Sequence, residues 1–232
     1  RQAAVWGLIV GAMQALATLN EWPLMWMTYD TAVPRSTFVA GQVATLAATL
    51  VGFSAFMALS FIAAETLGRK AFGHHPQFWR VWSKGPGSSI EILGRTVAGY
   101  LLVSVFFAYD VGLYLVATRL FGWWTPSEAL LHPDVLATYV PWLSAIANSL
   151  QAGFWEECLF RAVPLAGAAL IGDRFGKRGL FLAIAFVVQA AIFGAGHAPY
   201  PTQPSYARPV ELILPSIGLG LLYVYFCLLP GI

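Results

Sequence analysis

Charge is what this sequence has least of. Lys, Arg, Asp and Glu make up 10% of its 232 residues, against roughly 25% in an ordinary soluble domain. Hydrophobic residues reach 58% and mean hydropathy is +0.68, which excludes a water-soluble globule and implies an integral membrane protein in a lipid bilayer. Each span needs about 20 apolar residues, so the length suits one bundle of several helices. The formal net charge of +2 is too small to attract the phosphates of nucleic acid. Cysteine is nearly absent as well: Cys158 and Cys227 lie in apolar runs without metal or redox spacing, which excludes a disulfide framework and leaves them as core residues. The chain opens at Arg1 rather than at a methionine and stops at Ile232 inside an apolar stretch. The expectation is a piece of a longer protein, in which a cleavable signal peptide is not identifiable.

The expected fold is all-α: a polytopic transmembrane bundle with about six spans, divided into N-terminal helices with a basic loop (1–135) and a catalytic core (136–232). Ala3 to Leu19 forms the first apolar run, interrupted by Asn20-Glu21-Trp22-Pro23 before it resumes through Met27. This predicts a span with a polar or kinked end, anchored at the interface by Trp22 and Trp26. Phe38 to Ala64 is long enough to cross, and Glu65 and Arg69-Lys70 close it. Leu67 to Arg95 is the most polar region, with Arg69, Lys70, Arg80, Lys84 and Arg95. Its Pro and Gly clusters predict a loop, with Phe78, Trp79 and Trp82 dipping into the interface; His74 and His75 read as solvated rather than metal-bound. Thr96 to Leu120 crosses next and carries Asp110, read as an interior residue bonded to a neighbouring helix, with the glutamates' cavity as the alternative. Phe121 to Asp134 is a loop.

Leu136 to Gly172 is too long for one simple span, since ~37 residues of helix would measure ~55 Å. A break is expected near Asn148, with Pro164 bending the helix that follows. Asp173 to Gly179 is a tight basic turn, Leu180 to His197 returns, Pro199 to Pro209 is a proline-rich loop, and Val210 begins a last span. Cation-rich loops (66–95, 173–178) alternate with cation-poor ones (28–37, 121–134, 198–209), so the positive-inside rule puts the former in the cytoplasm. No internal repeat and no low-complexity segment is evident.

Against this apolar background stands Phe154-Trp155-Glu156-Glu157-Cys158-Leu159-Phe160-Arg161. A charge at mid-bilayer depth costs ~2.5–3.5 kcal/mol on insertion scales, so such residues usually have partners and a function. Glu157 and Arg161 are four apart and share a helix face, where they can pair. Glu156 lies well around the helix from Arg161, free to enter a cavity, where desolvation suits a carboxylate to act as general base or acid. Cys158 falls about 200° from Glu156 and reads as packing. A second constellation is Phe193-Gly194-Ala195-Gly196-His197: Phe193 can pack on the imidazole four residues on, and the two glycines permit close approach of another helix or a substrate backbone. Glu156 lies 18 residues before Arg174 and His197 lies 19 after Arg178, so on an antiparallel hairpin both sit about 25–29 Å from the basic turn. A glutamate and a histidine at one depth can share and activate a water for attack on a carbonyl. The bland alternative leaves the ionic residues as helix glue and His197 as a helix-end residue.

Glu-Glu-x-x-x-Arg (Glu156, Glu157, Arg161) followed by Phe-x-x-x-His (Phe193, His197) resembles the CPBP intramembrane protease family, which includes CAAX prenyl proteases and bacteriocin-processing (Abi) proteins. The resemblance spans about Pro141 to Ile232. It implies peptide-bond hydrolysis in a membrane cavity, on a membrane-associated peptide or a lipidated protein tail from which a C-terminal tripeptide is removed. It implies Glu156 as the water-activating carboxylate and His197 as its partner, with Glu157, Arg161 and Phe193 in support. The family has been described both as zinc metalloproteases and as glutamate-dependent peptidases. Glu156, Glu157 and His197 are the candidate ligands, but there is no His-Glu-x-x-His, and no zinc is expected to bind. The family pattern continues with a later histidine, and none follows His197 here. The resemblance also implies a prokaryotic plasma membrane, while loop charge puts Glu156 and His197 in its non-cytoplasmic half. The competing class is a non-catalytic membrane protein: an immunity factor, a scaffold or a small transporter.

Overall fold

A computed structural model describes residues 2–73, 83–124, 136–200 and 202–226, and among these there is no strand. The helices are α1 (Gln2–Asn20), α2 (Arg35–Phe72), the single turn α3 (Lys84–Gly87), α4 (Ile90–Phe121), α5 (Pro141–Glu156), α6 (Val163–Arg174), α7 (Arg178–Ala195) and α8 (Ala207–Phe226). A 3-10 helix, Trp22–Thr28, follows α1, and a π-helical segment, Glu157–Ala162, joins α5 to α6. Five of these helices, α1, α2, α4, α7 and α8, are long and apolar enough to cross a membrane. The all-α polytopic bundle expected from composition is the fold observed.

The chain divides into two compact units, Arg1–Ile62 with Leu130–Trp155, and Ala63–Ala129 with Glu156–Ile232. In the first unit α1 crosses α2 at small residues: a Cβ on Gly7 would stand 2.5 Å from the Ser54 carbonyl oxygen, and one on Gly11 would collide with the Ser54 side chain. Such close backbone approach substitutes for the hydrophobic drive that helices lack in lipid. The polar interruption after Leu19 has a structural use. The buried Asn20 side chain accepts from Val140 N (2.7 Å) and donates to Val140 O (2.9 Å) and Ser144 Oγ (2.8 Å), tying the end of α1 to the start of α5. Phe154 of α5 packs between Trp6 and Phe61, at ring distances of 6.5 and 5.5 Å. Trp26 lies in the 3-10 helix with Arg35 over its ring at 4.9 Å.

The second unit centres on α6, α7 and α8. Gly176 (φ 64°) makes the turn between α6 and α7, and Gly172 admits Arg178 and Phe181 against the end of α6. Antiparallel α7 and α8 are pinned along their length. Gly194 meets Pro209; Gln189 Nε2 donates to Ser216 O (3.1 Å) and Ser216 Oγ to Gln189 Oε1 (3.0 Å); Gly220 admits Phe186 and Leu165. At the turn, Arg178 bonds Asp173 (2.5 Å) and the Ala71 carbonyl (2.8 Å) and lies over Phe72, so the basic turn and the cationic end of α2 lie together.

Three expectations are corrected. No break occurs at Asn148: α5 runs unbroken from Pro141 to Glu156, because Trp142 to Ala152 contains neither Gly nor Pro. The irregularity falls at Glu157–Ala162, just ahead of Pro164, whose missing N–H cannot continue the regular ladder. The polar loop is shorter than predicted, since α2 continues to Phe72 and α4 begins at Ile90 with Ser89 Oγ accepting from Ile92 N (3.3 Å). The last helix begins at Ala207 rather than Val210. The readings of His74, His75, Phe78, Trp79, Trp82 and Cys227 lie outside the described residues.

Candidate active site

The carboxylate pair stands where regular helix changes to π-helix. Glu156 ends α5, and Glu157 to Ala162 form the wider turn, in which hydrogen bonds close from i to i+5 and which is frequent at functional sites. Glu157 and Arg161 pair as expected, with Oε1 and Nη1 3.7 Å apart and both side chains almost fully buried. Arg161 also lies within electrostatic reach of Glu156. Its Nε has no hydrogen-bond partner among the described residues, and its guanidinium lies 4.5 Å from the centre of the Phe193 ring.

Phe193 joins the two motifs. Its ring meets Arg161, the edge of Phe160 (5.2 Å) and the imidazole of His197 (4.7 Å). These contacts set residues 160 and 161 level with the end of α7, so both motifs occupy the end of the α6–α7 hairpin opposite the basic turn. Half-buried Glu156 lies within electrostatic reach of His197. His197 Nδ1 is 2.8 Å from the Phe193 carbonyl oxygen. A carbonyl only accepts, so Nδ1 carries the proton and, in the neutral ring, Nε2 keeps its lone pair. The pairing of Phe193 with His197 follows the expected spacing. Gly194 gives the predicted close approach, to Pro209 of α8, whereas a Cβ on Gly196 would meet only carbonyls of its own turn. Cys158 is fully buried as packing.

The described residues do not fit a zinc ion. A catalytic zinc takes three protein ligands, whereas Glu157 faces Arg161 and His197 Nδ1 faces a carbonyl, leaving Glu156 and one imidazole nitrogen. Among the described residues no group of three or more His, Cys, Asp or Glu is placed to hold a metal.

Five polar residues that sequence reasoning passed over stand beside this site. Tyr200 stacks on His197 at 5.6 Å, Arg208 lies over Tyr200 at 5.3 Å, and Arg208 pairs with the fully buried Glu211. Tyr114 of α4 donates to Glu211 Oε2 (2.9 Å), and Tyr109 to its backbone carbonyl (2.9 Å). Asp110 belongs to this cluster, beside Glu211, as the interior residue it was expected to be. Glu211 was detectable in principle as a carboxylate inside an apolar run with Arg208 three residues before it.

Residues 138–232 match a family model described as type II CAAX prenyl endopeptidase Rce1-like. No curated protein and no solved structure matches the chain. The matched segment contains both motifs, the hairpin that aligns them and the α8 helix packed against it. Through that segment the chain is similar to the type II CAAX prenyl endopeptidases, within the CPBP/CAAX protease family.

Proposed function

We propose that the chain is an intramembrane endopeptidase that hydrolyses a peptide bond near the C-terminus of a prenylated, membrane-associated peptide, with Glu156 and His197 activating the attacking water. The observation that supports this reading is that Glu156 and His197 lie within electrostatic reach of each other, inside the family-matched segment. A water between them gives its proton to the Glu156 carboxylate as its oxygen attacks the scissile carbonyl. His197 Nε2 accepts a hydrogen bond from that water and, after attack, from the hydroxyl it leaves on the tetrahedral carbon. Glu156 then returns the proton to the leaving amine nitrogen as the C–N bond breaks. Arg161, held by Glu157, keeps a positive charge within electrostatic reach of Glu156. No step is routed through a metal.

The test is product analysis. The full-length protein in lipid vesicles is given a farnesylated peptide ending in a CAAX sequence, and the same peptide without the lipid. Release of the C-terminal tripeptide from the lipidated peptide, seen by mass spectrometry, is the expected result. Cleavage of both peptides at equal rates would remove the lipid from the substrate definition, and cleavage of neither would favour a non-catalytic protein.

A further inference from the structure

His197 is held by more than its own helix, and the support ends on a carboxylate to which the reaction gives no role. We infer that Glu211 is a positioning residue for His197, acting through Arg208 and Tyr200; the inference rests on the reading of His197 as the partner of Glu156. Tyr200 follows the end of α7 in a turn closed by its own N–H on the His197 carbonyl (3.2 Å), and its side chain is 45% exposed. An exposed ring on a turn does not hold a fixed plane unless something bears on it. Here the imidazole stacks on it at 27° between planes, and the Arg208 guanidinium lies 5.3 Å from its centre. Arg208 is in turn fixed by Glu211, which is 0% exposed and is itself held from α4 by the hydroxyls of Tyr114 and Tyr109.

A run of contacts thus leads from α4 through Glu211, Arg208 and Tyr200 to the imidazole. Replacing a buried ion pair by apolar side chains is often neutral or stabilising, so stability alone is a weak reason for a charge pair at this place. Position is the stronger one. With Nδ1 bound to the Phe193 carbonyl and the ring against Phe193 and Tyr200, rotation of the imidazole is restricted and Nε2 keeps one direction. Misplacing a catalytic group lowers the chemical step far more than it lowers binding. Glu211 is fully buried, out of a substrate's reach, so its loss should appear in kcat and not in KM.

The test uses the full-length protein with 15N-histidine, the His197 resonances being assigned with His197→Asn. In the parent protein the shifts should report the Nδ1-protonated tautomer. Glu211→Gln, Arg208→Gln and Tyr200→Leu should each move them towards a mixture of tautomers and lower kcat about tenfold at unchanged KM, while Tyr200→Phe, which keeps the ring, should retain both. His197 shifts that stay at the parent values in Glu211→Gln and Tyr200→Leu would overturn the inference, whatever the activity. So would a loss of folded protein at unchanged kcat per folded molecule, which is the mark of a structural role. If His197→Asn cleaves as fast as the parent, the catalytic reading fails on its own, and the tautomer shifts still decide whether Glu211 positions the ring.

Discussion

At the scale of single residues, the two adjacent glutamates should behave differently when changed. Glu157 and Arg161 are buried together; removing one partner of a buried pair leaves the other charge uncompensated, so Glu157→Gln should destabilise the fold by about 3 kcal/mol. Chemical unfolding in detergent measures this. Glu156 is less buried and ends its helix, and Glu156→Gln, which relieves a desolvated charge, should leave stability within about 0.5 kcal/mol of the parent. Equal losses for the two variants would show that both glutamates are structural. Much of the site was legible in residue types, because three charges in an apolar run attract attention by their cost alone. The π-turn at Glu157–Ala162 was not: it departs from the 3.6-residue period that a helical wheel assumes, without a sequence signature other than Pro164 downstream. Glu211 was missed because it stands near a helix start, where a charge reads as an end marker until α4 is seen to cover it.

At the scale of elements, the α7–α8 contact is the one that fixes the height of His197. A Cβ on Gly194 would stand 2.6 Å from the Pro209 carbonyl oxygen, whereas one on Gly167 would meet nothing within 4 Å. Gly194→Val should therefore lower the melting temperature by roughly 3–8 °C through overpacking, and Gly167→Ala should not lower it; a thermal melt of both in one detergent checks the pair. A tolerated Gly194→Val would mean that the two helices are not held at this point. Span positions were readable from apolar runs, and helix ends less so. The expected break at Asn148 failed because Asn and Ser are compatible with a helix when one face is polar, and only a missing donor or a strained φ ends it. Asn20 was recognised as an interruption, but its role as the tie between α1 and α5 depends on Val140 and Ser144, 120 and 124 residues later, which local pattern does not reach.

At the scale of the whole molecule, charge distribution bears on orientation. Arg178 bonds the Ala71 carbonyl beside Arg69 and Lys70, so the two cation-rich segments that composition assigned to one side of the membrane do share one end. From the positive-inside rule we propose that the Phe175–Lys177 turn lies in the cytoplasm. A cysteine introduced at Lys177 should resist a membrane-impermeant reagent in intact cells and react after permeabilisation; labelling in intact cells would reverse the orientation and put Glu156 and His197 in the cytoplasmic half. The integral, all-helical character follows from composition, and the proposed enzyme class rests on two short motifs whose spacing across a hairpin sets them at one depth. That they meet depends on Phe193 and Arg161 in contact, which spacing allows but does not require. The account turns on Glu156 as the group that takes the proton of water, and the most direct measurement is kcat for the full-length Glu156→Gln protein in vesicles, on a prenylated CAAX peptide, beside the parent. General-base catalysis by that carboxylate predicts a fall of roughly 10²–10⁴-fold with folding unchanged. A Glu156→Gln protein that cleaves within a few-fold of the parent would contradict it.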